Sequence, residues 1–232
     1  MKRAYYPLLA FLLAFTLTAP AKDAAKVYFE PATVDYKTLL PDPPAVGSPA
    51  ALQEIDLILQ KQAACTPEEL VRIKREVHLN VYLFDNVLGP WFTAKNLPRT
   101  AALFHSVDAT EWPIVEAAKK YWSRPRPPMQ DKRVHPPIDL PGNASYPSGH
   151  STLSTLDALI LVELAPDLKD AILARGRQIG DDRVIAGVHF PSDVEAGRTL
   201  AQDLFAKFMA SPAFQADLAL AKAEVASARA KP

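Results

Sequence analysis

Three short blocks in the second half of the sequence carry residue types that could hold and transfer a phosphoryl group. Together they supply three cations, two histidines and one carboxylate. The blocks are Lys119 with Arg126-Pro127, then Pro147-Ser148-Gly149-His150, then Arg183, His189 and Asp193. A phosphoryl group in transfer spreads negative charge over three equatorial oxygens, and preorganised cations stabilise that charge. Their order and spacing favour phosphoryl chemistry without a metal.

The second block lies where a predicted loop enters a predicted helix. The N-terminus of a helix exposes unpaired N–H groups and a partial positive charge, so it can bind phosphate. Gly149 lets the backbone approach an anion, and Ser148 can donate a hydroxyl hydrogen or cap the helix. His150 can give or take a proton. The alternative is a plain helix cap beside an exposed histidine.

The third block places Asp193 four residues after His189, so that one turn of backbone can bring its carboxylate to the imidazole ring. A carboxylate on one ring nitrogen fixes the tautomer and raises the basicity of the other nitrogen, as a nucleophilic histidine requires. A structural His–Asp pair at a helix start is the alternative. A metal site formed by His189, Asp193 and His150 is disfavoured by the cations expected nearby, so no metal is predicted.

The three cations, Lys119, Arg126 and Arg183, could surround a phosphate. The planar fork of arginine can bind two phosphate oxygens at once. Each of these residues, taken alone, is typical of a surface charge. The prediction of a phosphate site therefore depends on their combination with the histidines.

Composition excludes several classes of function. The chain has 232 residues, of which 49% are hydrophobic and 22% charged, and its formal net charge is zero. These values are ordinary for a soluble globular protein, and they give no general electrostatic reason to bind nucleic acid or an anionic membrane. Cys65 is the only cysteine, so an internal disulfide is excluded.

The N-terminus resembles a secretory signal. Lys2 and Arg3 precede an apolar run from Leu8 to Leu17, and Ala19-Pro20-Ala21 offers small residues for cleavage after Ala21. A membrane anchor is the alternative, but the run is short for a bilayer. We predict a signal peptide over residues 1–21, no stable membrane insertion after its removal, and a periplasmic or secreted protein.

Helical periodicity dominates the rest of the chain. Residues 22–48 are rich in proline and predict an extended N-terminal arm, followed by a helical domain over residues 49–232. A capping box at Thr66-Pro67-Glu68-Glu69 predicts a helix running to Leu88. Two further helices are expected, one from Pro98 to Val107 and one starting at Asp108 or Thr110.

The second half continues in the same way after a proline-rich segment at residues 123–146, which predicts a long ordered loop of functional importance. Further helices are expected over Ser148–Leu164, from Pro166, from a capping box at Ser192-Asp193-Val194-Glu195, and from Pro212. No segment alternates as a strand does. The sequence predicts an all-α fold, a single-domain helical bundle.

These blocks resemble the motifs of a known superfamily, the type 2 phosphatidic-acid phosphatases and vanadium haloperoxidases. Lys119, six residues and Arg126-Pro127 match its first motif, Pro147-Ser148-Gly149-His150 its second, and Arg183, His189 and Asp193 its third. The sequence is more similar to the bacterial class A non-specific acid phosphatases. That resemblance extends to residues 39–44 and 106–108 and covers roughly residues 39–210.

The resemblance implies a role for each catalytic residue. His189 would be the nucleophile that forms a phosphohistidine, and Asp193 would orient it. His150 would protonate the leaving alcohol and then activate water.

The resemblance also implies a phosphate clamp. Its members would be Lys119, Arg126 and Arg183, completed by Ser148 and the Gly149 amide. The family is all-α and requires no metal or other cofactor for this reaction.

One position departs from the third motif, which usually opens with serine and here has Asp182. A carboxylate cannot donate a hydrogen bond to phosphate unless it is protonated, and its charge would repel the substrate. We therefore expect Asp182 to turn towards Arg126 or Arg183, or away from the pocket.

The favoured function is a metal-independent acid phosphatase acting on small soluble phosphomonoesters. An acidic optimum is expected because His150 must start protonated and His189 must not. The alternatives are a lipid or polyprenyl-pyrophosphate phosphatase of the same superfamily, a vanadate-dependent haloperoxidase, and a non-catalytic phosphate-binding protein. No nucleic-acid partner is expected. Relatives suggest a dimer or larger, so a homo-oligomer remains open.

Overall fold

The computed structural model describes residues 25–230, and this part of the chain contains helices and no strand. The predicted signal peptide at residues 1–21 lies outside it. The helices are α1 (Tyr36–Leu39), α2 (Pro49–Ala63), α3 (Pro67–Arg75), α4 (Asp85–Leu88), α5 (Pro98–Trp122), α6 (Pro127–Gln130), α7 (Gly149–Leu164), α8 (Lys169–Ile185), α9 (Pro191–Ala210) and α10 (Pro212–Arg229). Single 3₁₀ turns lie at Pro31–Thr33, Val81–Phe84 and Pro166–Leu168. The predicted all-α fold is confirmed.

Helix α7 lies at the centre of the bundle and packs mainly against α8 and α9, while α5 packs against α10. Leu156, Ile160 and Leu161 of α7 are buried, as are Leu200 and Leu204 of α9. Burial of such apolar side chains is the main favourable contribution to folding. The second of the three sequence blocks lies at the N-terminal end of α7, where this packing holds it in place.

Helix α5 is continuous, and the prediction of two helices in this region was wrong. Leu103, Val107 and Ile114 are all buried on one face of a single helix that includes Pro113. Thr110, an expected cap, instead donates its hydroxyl to the carbonyl of Ser106, one turn earlier. A proline inside a helix costs about 3 kcal/mol, and this unbroken buried face offsets that cost.

The capping box at Thr66 is present, but the helix it starts is shorter than expected. Helix α3 ends at Arg75 instead of Leu88. Asn80 then accepts a hydrogen bond from the Tyr82 amide, which starts a separate 3₁₀ turn before α4. Because α3 ends here, the backbone carbonyl of Glu76 is free to meet another part of the chain.

The predicted capping box at Ser192 was wrong, because α9 begins at Pro191 and its N-cap is Phe190, two residues before Ser192. Proline is favoured at the first helical position. Asp193 becomes the third residue of the helix, and its carboxylate accepts the Phe190 amide at 2.8 Å. The early start therefore places the Asp193 carboxylate at the mouth of α9.

Residues 25–48 lie across the bundle, largely in irregular structure. Tyr28 packs edge-on against Phe208 and Phe214. Further along, Asp42 accepts a hydrogen bond from the indole of Trp122, at the end of α5. Within residues 25–230, no helix has both the length and the apolar character needed to cross a membrane.

Candidate active site

A cavity of about 390 Å³ opens between α5, the N-terminus of α7 and the turn after α8. Five of the predicted site residues line it: Lys119, Arg126, Gly149, His150 and His189. The structure thus brings all three sequence blocks together, although they span 75 residues, from Lys119 to Asp193. The remaining predicted residues, Ser148, Arg183 and Asp193, lie behind the wall.

The turn that carries His189 requires a glycine. Gly187 has a φ of +68°, and a Cβ there would lie 2.7 Å from both Val134 and the Gln62 amide nitrogen. Any other residue would combine backbone strain with a collision. Gly187 therefore fixes the path by which the chain leaves α8 and presents His189 to the cavity.

His189 is held as a neutral ring with a defined tautomer. Its Nε2 lies 3.2 Å from Nη1 of Arg126, and its Nδ1 lies 3.3 Å from Oδ2 of Asp193. A guanidinium can only donate, so the hydrogen-bond network assigns the proton to Nδ1 and the lone pair to Nε2. Burial lowers the pKa of His189 well below its usual value, and Arg126 and Lys119 lower it further. Nε2 is therefore available as a nucleophile.

Asp193 is fully buried and every side of its carboxylate is occupied. Oδ1 accepts from Arg124 at 2.6 Å, and Oδ2 accepts from the Ser145 hydroxyl as well as from the Phe190 amide. Burial alone would raise the pKa of Asp193, but the hydrogen bond to His189 and the charge of Arg124 outweigh it, and the net pKa is lowered. Asp193 stays ionised and can orient the His189 ring.

Arg124 and Glu54 are site residues that the sequence analysis missed. Arg124 lies 3.8 Å above the Phe190 ring and bonds Glu54 at 2.8 Å through Nη2. Glu54, on α2, also accepts the Ser192 amide at 2.6 Å. A chain of contacts therefore runs from His189 through Asp193 and Arg124 to α2. The only sequence signal was the closeness of Arg124 to Arg126.

The Arg126 guanidinium is fixed by oxygen atoms of the loops around it. Nε donates to the Asn143 carbonyl at 2.9 Å, Nη2 to the Asn143 side chain at 2.7 Å, and Nη1 to the Val188 carbonyl at 2.7 Å. Asn143 is itself held by Glu116 on α5, at 2.7 Å. Arg126 is therefore a preorganised cation beside the nucleophilic nitrogen.

Lys119 is a second buried cation in the cavity wall, close to Arg126. Its Nζ donates to the Ala144 carbonyl at 2.7 Å. Burial, assisted by the charge of Arg126, lowers the pKa of Lys119 to about 7. Lys119 is thus charged below pH 7 and loses its charge above it, so the cavity binds anions best in acid.

His150 is oriented by the end of α3. Its Nε2 lies 2.9 Å from the Glu76 carbonyl, which can only accept, so the proton is on Nε2 and proton exchange falls to Nδ1. Burial and then the charge of Arg183 lower the pKa of His150 to about 3. This value disagrees with the expectation that His150 starts protonated. A bound phosphate would offset the cations and raise this pKa.

Arg183 does not line the cavity. Its Nη2 lies 3.1 Å from the Glu76 carboxylate, which also binds Arg175 at 2.7 Å. The Nε of Arg183 has no hydrogen-bond partner within residues 25–230. Arg183 therefore acts on His150 through its charge, and direct contact with phosphate remains a prediction.

Ser148 is the N-cap of α7. Its hydroxyl oxygen accepts the Ser151 amide at 3.3 Å, and its own amide donates to the Asp193 carbonyl at 2.9 Å. Helix α9 approaches closely here, because a Cβ on Gly197 would lie 2.7 Å from the Ser148 carbonyl. The cap thus joins α7 to α9, and its second predicted role, as a phosphate donor, remains a prediction.

Asp182 turns away from the cavity, as one of the three expected orientations had it, and pairs with neither Arg126 nor Arg183. Arg72 of α3 binds it through Nε at 2.6 Å and Nη2 at 2.8 Å. The charge that would repel a phosphate is thus compensated by a bidentate ion pair. The departure from the serine of the motif is explained by contact with α3.

We expect Asp182→Ser to reduce stability rather than to improve activity. The substitution leaves Arg72 without its partner, at a cost of about 2 kcal/mol, while kcat/KM stays within about twofold. Urea denaturation and p-nitrophenyl phosphate hydrolysis test the two parts. Asp170→Ser is the matched control, because Asp170 is an exposed aspartate in the first turn of the same helix and its loss should change little. A tenfold gain in activity at unchanged stability would contradict this interpretation.

Within the described part of the chain, no three His, Cys, Asp or Glu side chains come close enough together to hold a metal ion. The site instead combines two neutral histidines, two cations and a buried carboxylate. A phosphate would meet Lys119 and Arg126 on its oxygens and His189 at phosphorus. This arrangement can perform nucleophilic displacement at phosphorus.

Comparison with known proteins agrees with this geometry. The sequence model of the PAP2 superfamily matches residues 101–210. The chain is 32% identical over 210 residues to the non-specific acid phosphatase of Providencia stuartii, covering 83% of this chain and 82% of that protein. It is 33% identical over 198 residues to the acid phosphatase of Zymomonas mobilis, covering 82% and 75%.

A solved structure is also similar, the transmembrane PAP2-type phosphatidylglycerolphosphate phosphatase of Bacillus subtilis. The two are 23% identical with a TM-score of 0.47, and the match covers 69% of this chain and 85% of that one. The assignment to a family depends on the acid phosphatases that are similar in sequence. The chain belongs to the PAP2 superfamily and, within it, to the bacterial non-specific acid phosphatases.

Proposed function

We propose that the protein is an acid phosphatase that hydrolyses soluble phosphomonoesters through a phosphohistidine at His189, without a metal. One observation carries this proposal: the lone pair of His189 Nε2 faces the cavity beside Arg126, while Asp193 holds Nδ1. A structural His–Asp pair would have no reason to present its free nitrogen to a cationic cavity.

In the first step, the substrate phosphate binds Lys119, Arg126 and the amide of Gly149, and it displaces the contact between Arg126 and Nε2. Nε2 then attacks phosphorus as the bond to the ester oxygen breaks. His150 gives the leaving oxygen a proton, and the alcohol departs. The Nδ1 proton of His189 stays on the Asp193 side, so Asp193 offsets the positive charge of the phosphorylated ring.

In the second step, water attacks the phosphohistidine. His150, now neutral, accepts a proton from that water, and the N–P bond breaks. Inorganic phosphate leaves, and His189 regains its lone pair. One histidine is thus the nucleophile in the first step and the leaving group in the second, while the other exchanges protons in both.

The residues present can supply the charge stabilisation that metals supply in other phosphatases. Lys119 and Arg126 face the cavity, and hydrogen bonds to carbonyl oxygens already orient them. Cations held in this way need no reorganisation when charge develops in the transition state. The Asp193 carboxylate, which could otherwise bind a metal, is occupied by Arg124 and Ser145.

The proposed location is the periplasm or the exterior of the cell. It depends on the signal-like sequence at residues 1–21, since the positive start, apolar run and small-residue cleavage site are typical of exported proteins. Soluble phosphomonoesters fit this location and a cavity of small-molecule size. N-terminal sequencing of the exported protein tests the cleavage site, which is expected after Ala21.

The source of the proton that reaches the leaving oxygen determines how kcat/KM is expected to depend on pH. With a pKa of about 3, His150 is neutral above pH 4 until phosphate binds. The proton that His150 passes to the leaving oxygen must then come from the substrate, as the phosphate monoanion that exists below its second pKa of about 6. We expect kcat/KM to fall above that pKa, and further above pH 7 as Lys119 loses its charge.

A comparison of substrates tests this explanation. Aryl phosphates have a lower second pKa than alkyl phosphates, so the alkaline limb of kcat/KM should lie at lower pH for p-nitrophenyl phosphate than for propyl phosphate. An identical limb for both substrates would assign it to the enzyme alone, and the substrate would not be the proton source.

The direct test of the function is hydrolysis of p-nitrophenyl phosphate by the purified protein from pH 4 to 8, with EDTA present. We expect an acidic optimum and full activity in EDTA. Rapid quenching should trap a phosphoenzyme that survives alkali but not acid, as a phosphoimidazole does. Activity abolished by EDTA would overturn the proposal in favour of a metal site.

A further inference from the structure

The proposed reaction does not use an acidic group in the wall of the same cavity. Glu111 of α5 lines the cavity together with Asp108, one turn earlier. Glu111 is 1% exposed, and neither of its carboxylate oxygens has a hydrogen-bond partner within residues 25–230. Buried carboxylates are normally paired, because an uncompensated one is costly. Glu111 therefore lacks the positive partner that its position demands.

A third acidic side chain lies near Glu111. Asp157 of α7 is 2% exposed and lies close enough to Glu111 to act on its charge. Burial first, and then Asp108 and Asp157, raise the pKa of Glu111 well above its usual value, although Lys119 acts in the opposite direction. The Lys119 ammonium donates to the Ala144 and Ser145 carbonyls and makes no hydrogen bond to Glu111. A cation bound beside Glu111 would lower this pKa and stabilise the ionised carboxylate.

An aromatic ring lines the same cavity beside Gly149. Trp112 lines the cavity and is 49% exposed. A Cβ built on Gly149 would lie 3.7 Å from the indole ring and 4.0 Å from Cε of Lys119, so the ring and the lysine chain flank one point. A group bound to Lys119 would therefore reach the indole through a short chain of atoms.

Acidic side chains beside an exposed indole are the features that bind ammonium groups. The face of tryptophan attracts a cation, and substituted ammonium ligands use this attraction. The other half of the cavity carries the opposite charge, with Lys119 and Arg126 directed at the phosphate site. The cavity thus has a cationic end and an acidic end.

We propose that this wall is a cation subsite, and that the enzyme prefers phosphate esters of amino alcohols over uncharged phosphomonoesters. The phosphate binds Lys119 and Arg126, and the ammonium lies against Glu111 and Asp108 beside Trp112. The inference rests on the proposed function and names its substrate class. An ammonium supplied by the substrate favours the ionised form of Glu111 and pairs with it.

The test compares two esters of nearly equal shape, phosphocholine and 3,3-dimethylbutyl phosphate, which has carbon in place of nitrogen. The values of kcat/KM are measured with EDTA present, so that no metal fills the acidic wall. We expect the wild-type enzyme to prefer phosphocholine by at least about tenfold. Glu111→Gln and Asp108→Asn should each lower this ratio, and together they should bring it to about one.

Glu163→Gln is the matched control, because it removes a negative charge from the opposite end of α7. Glu163 pairs with Lys222 on the surface, about 20 Å along the helix from His150. Its ratio should equal that of the wild type. If Glu111→Gln fails to fold, Asp108→Asn and the wild-type ratio still decide the question.

The outcomes distinguish a failure of the cation subsite from a failure of the proposed phosphatase activity. Equal kcat/KM for the two esters would overturn the cation subsite but would not contradict the proposed phosphatase activity. A preference that survives in the double variant would overturn the assignment to Glu111 and Asp108. If neither ester nor p-nitrophenyl phosphate is hydrolysed, the proposed function itself fails.

Discussion

Replacing His189 with alanine is expected to lower kcat for p-nitrophenyl phosphate by at least about 10⁴-fold. The variant has no atom that can form the phosphoenzyme, and water would have to attack phosphorus directly. KM should change little, because Lys119 and Arg126 are held by carbonyl oxygens and not by His189 alone. The measurement is steady-state hydrolysis together with quenching to detect phosphoenzyme, which should be absent.

His135→Ala is the control for this substitution. His135 is exposed, and only its backbone bonds another residue, through the side chain of Gln62. It should retain full activity and a normal phosphoenzyme. A His189→Ala variant with more than about a tenth of wild-type kcat would contradict the covalent mechanism. In that case the ring would act only as a base or a brace.

The sequence was sufficient to predict five of the side chains or backbone groups that line the cavity. Fixed spacing within each motif is local information, and His189 and Asp193 meet because they are one turn apart. Lys119 and His150 also arrive in one cavity, as the resemblance implied. Helix starts with a proline or a capping residue, such as Pro98 and Thr66, were recognised from a few residues.

The errors arose where distant contacts decide the local structure. Asp108 and Thr110 resemble helix caps, yet the buried face of α5 continues through them and keeps one helix. Glu76 was not noticed, although its carbonyl binds His150 and its carboxylate binds Arg175 and Arg183. Its role depends on the end of α3 meeting α7 and α8, and no pattern near residue 76 encodes that meeting.

Burial of charge is the feature that links this fold to its chemistry. Burial lowers the pKa of both His150 and His189, and nearby cations lower it further: Arg183, Lys119 and Arg126 at His150, and Arg126 and Lys119 at His189. A neutral nucleophile is what the attack on phosphorus requires. The same cations would attract the substrate, so one charge distribution serves binding and activation.

Arg124 is expected to have the second largest effect, although it does not line the cavity. Arg124→Met leaves Asp193 and Glu54 buried without their shared cation, at a cost of about 3–5 kcal/mol in unfolding free energy. We also expect kcat to fall by about 10²-fold, because the carboxylate that orients His189 is no longer fixed. Arg133→Met, an exposed arginine of the same loop, is the control for both measurements.

The pH profile distinguishes a positioning role from a structural one. The charge of Arg124 helps to keep the pKa of Asp193 below its usual value, so its removal raises that pKa. Asp193 must be ionised to hold the Nδ1 proton of His189. Activity should therefore be lost first at low pH, and the acid limb of kcat should move to higher pH.

A second substitution separates stability from catalysis. Adding Glu54→Gln to Arg124→Met removes the unpaired carboxylate on α2, so part of the lost unfolding free energy should return. The low kcat and the shifted acid limb should remain, because Asp193 still lacks its arginine. Arg124→Lys keeps a cation but can make only one of the two contacts, to Asp193 or to Glu54. It should therefore restore the position of the acid limb more fully than the free energy of unfolding. A different outcome is a loss of stability in Arg124→Met with kcat and the acid limb unchanged. Arg124 would then contribute only to the contact between α2 and α9, and Ser145 and the Phe190 amide alone would hold Asp193.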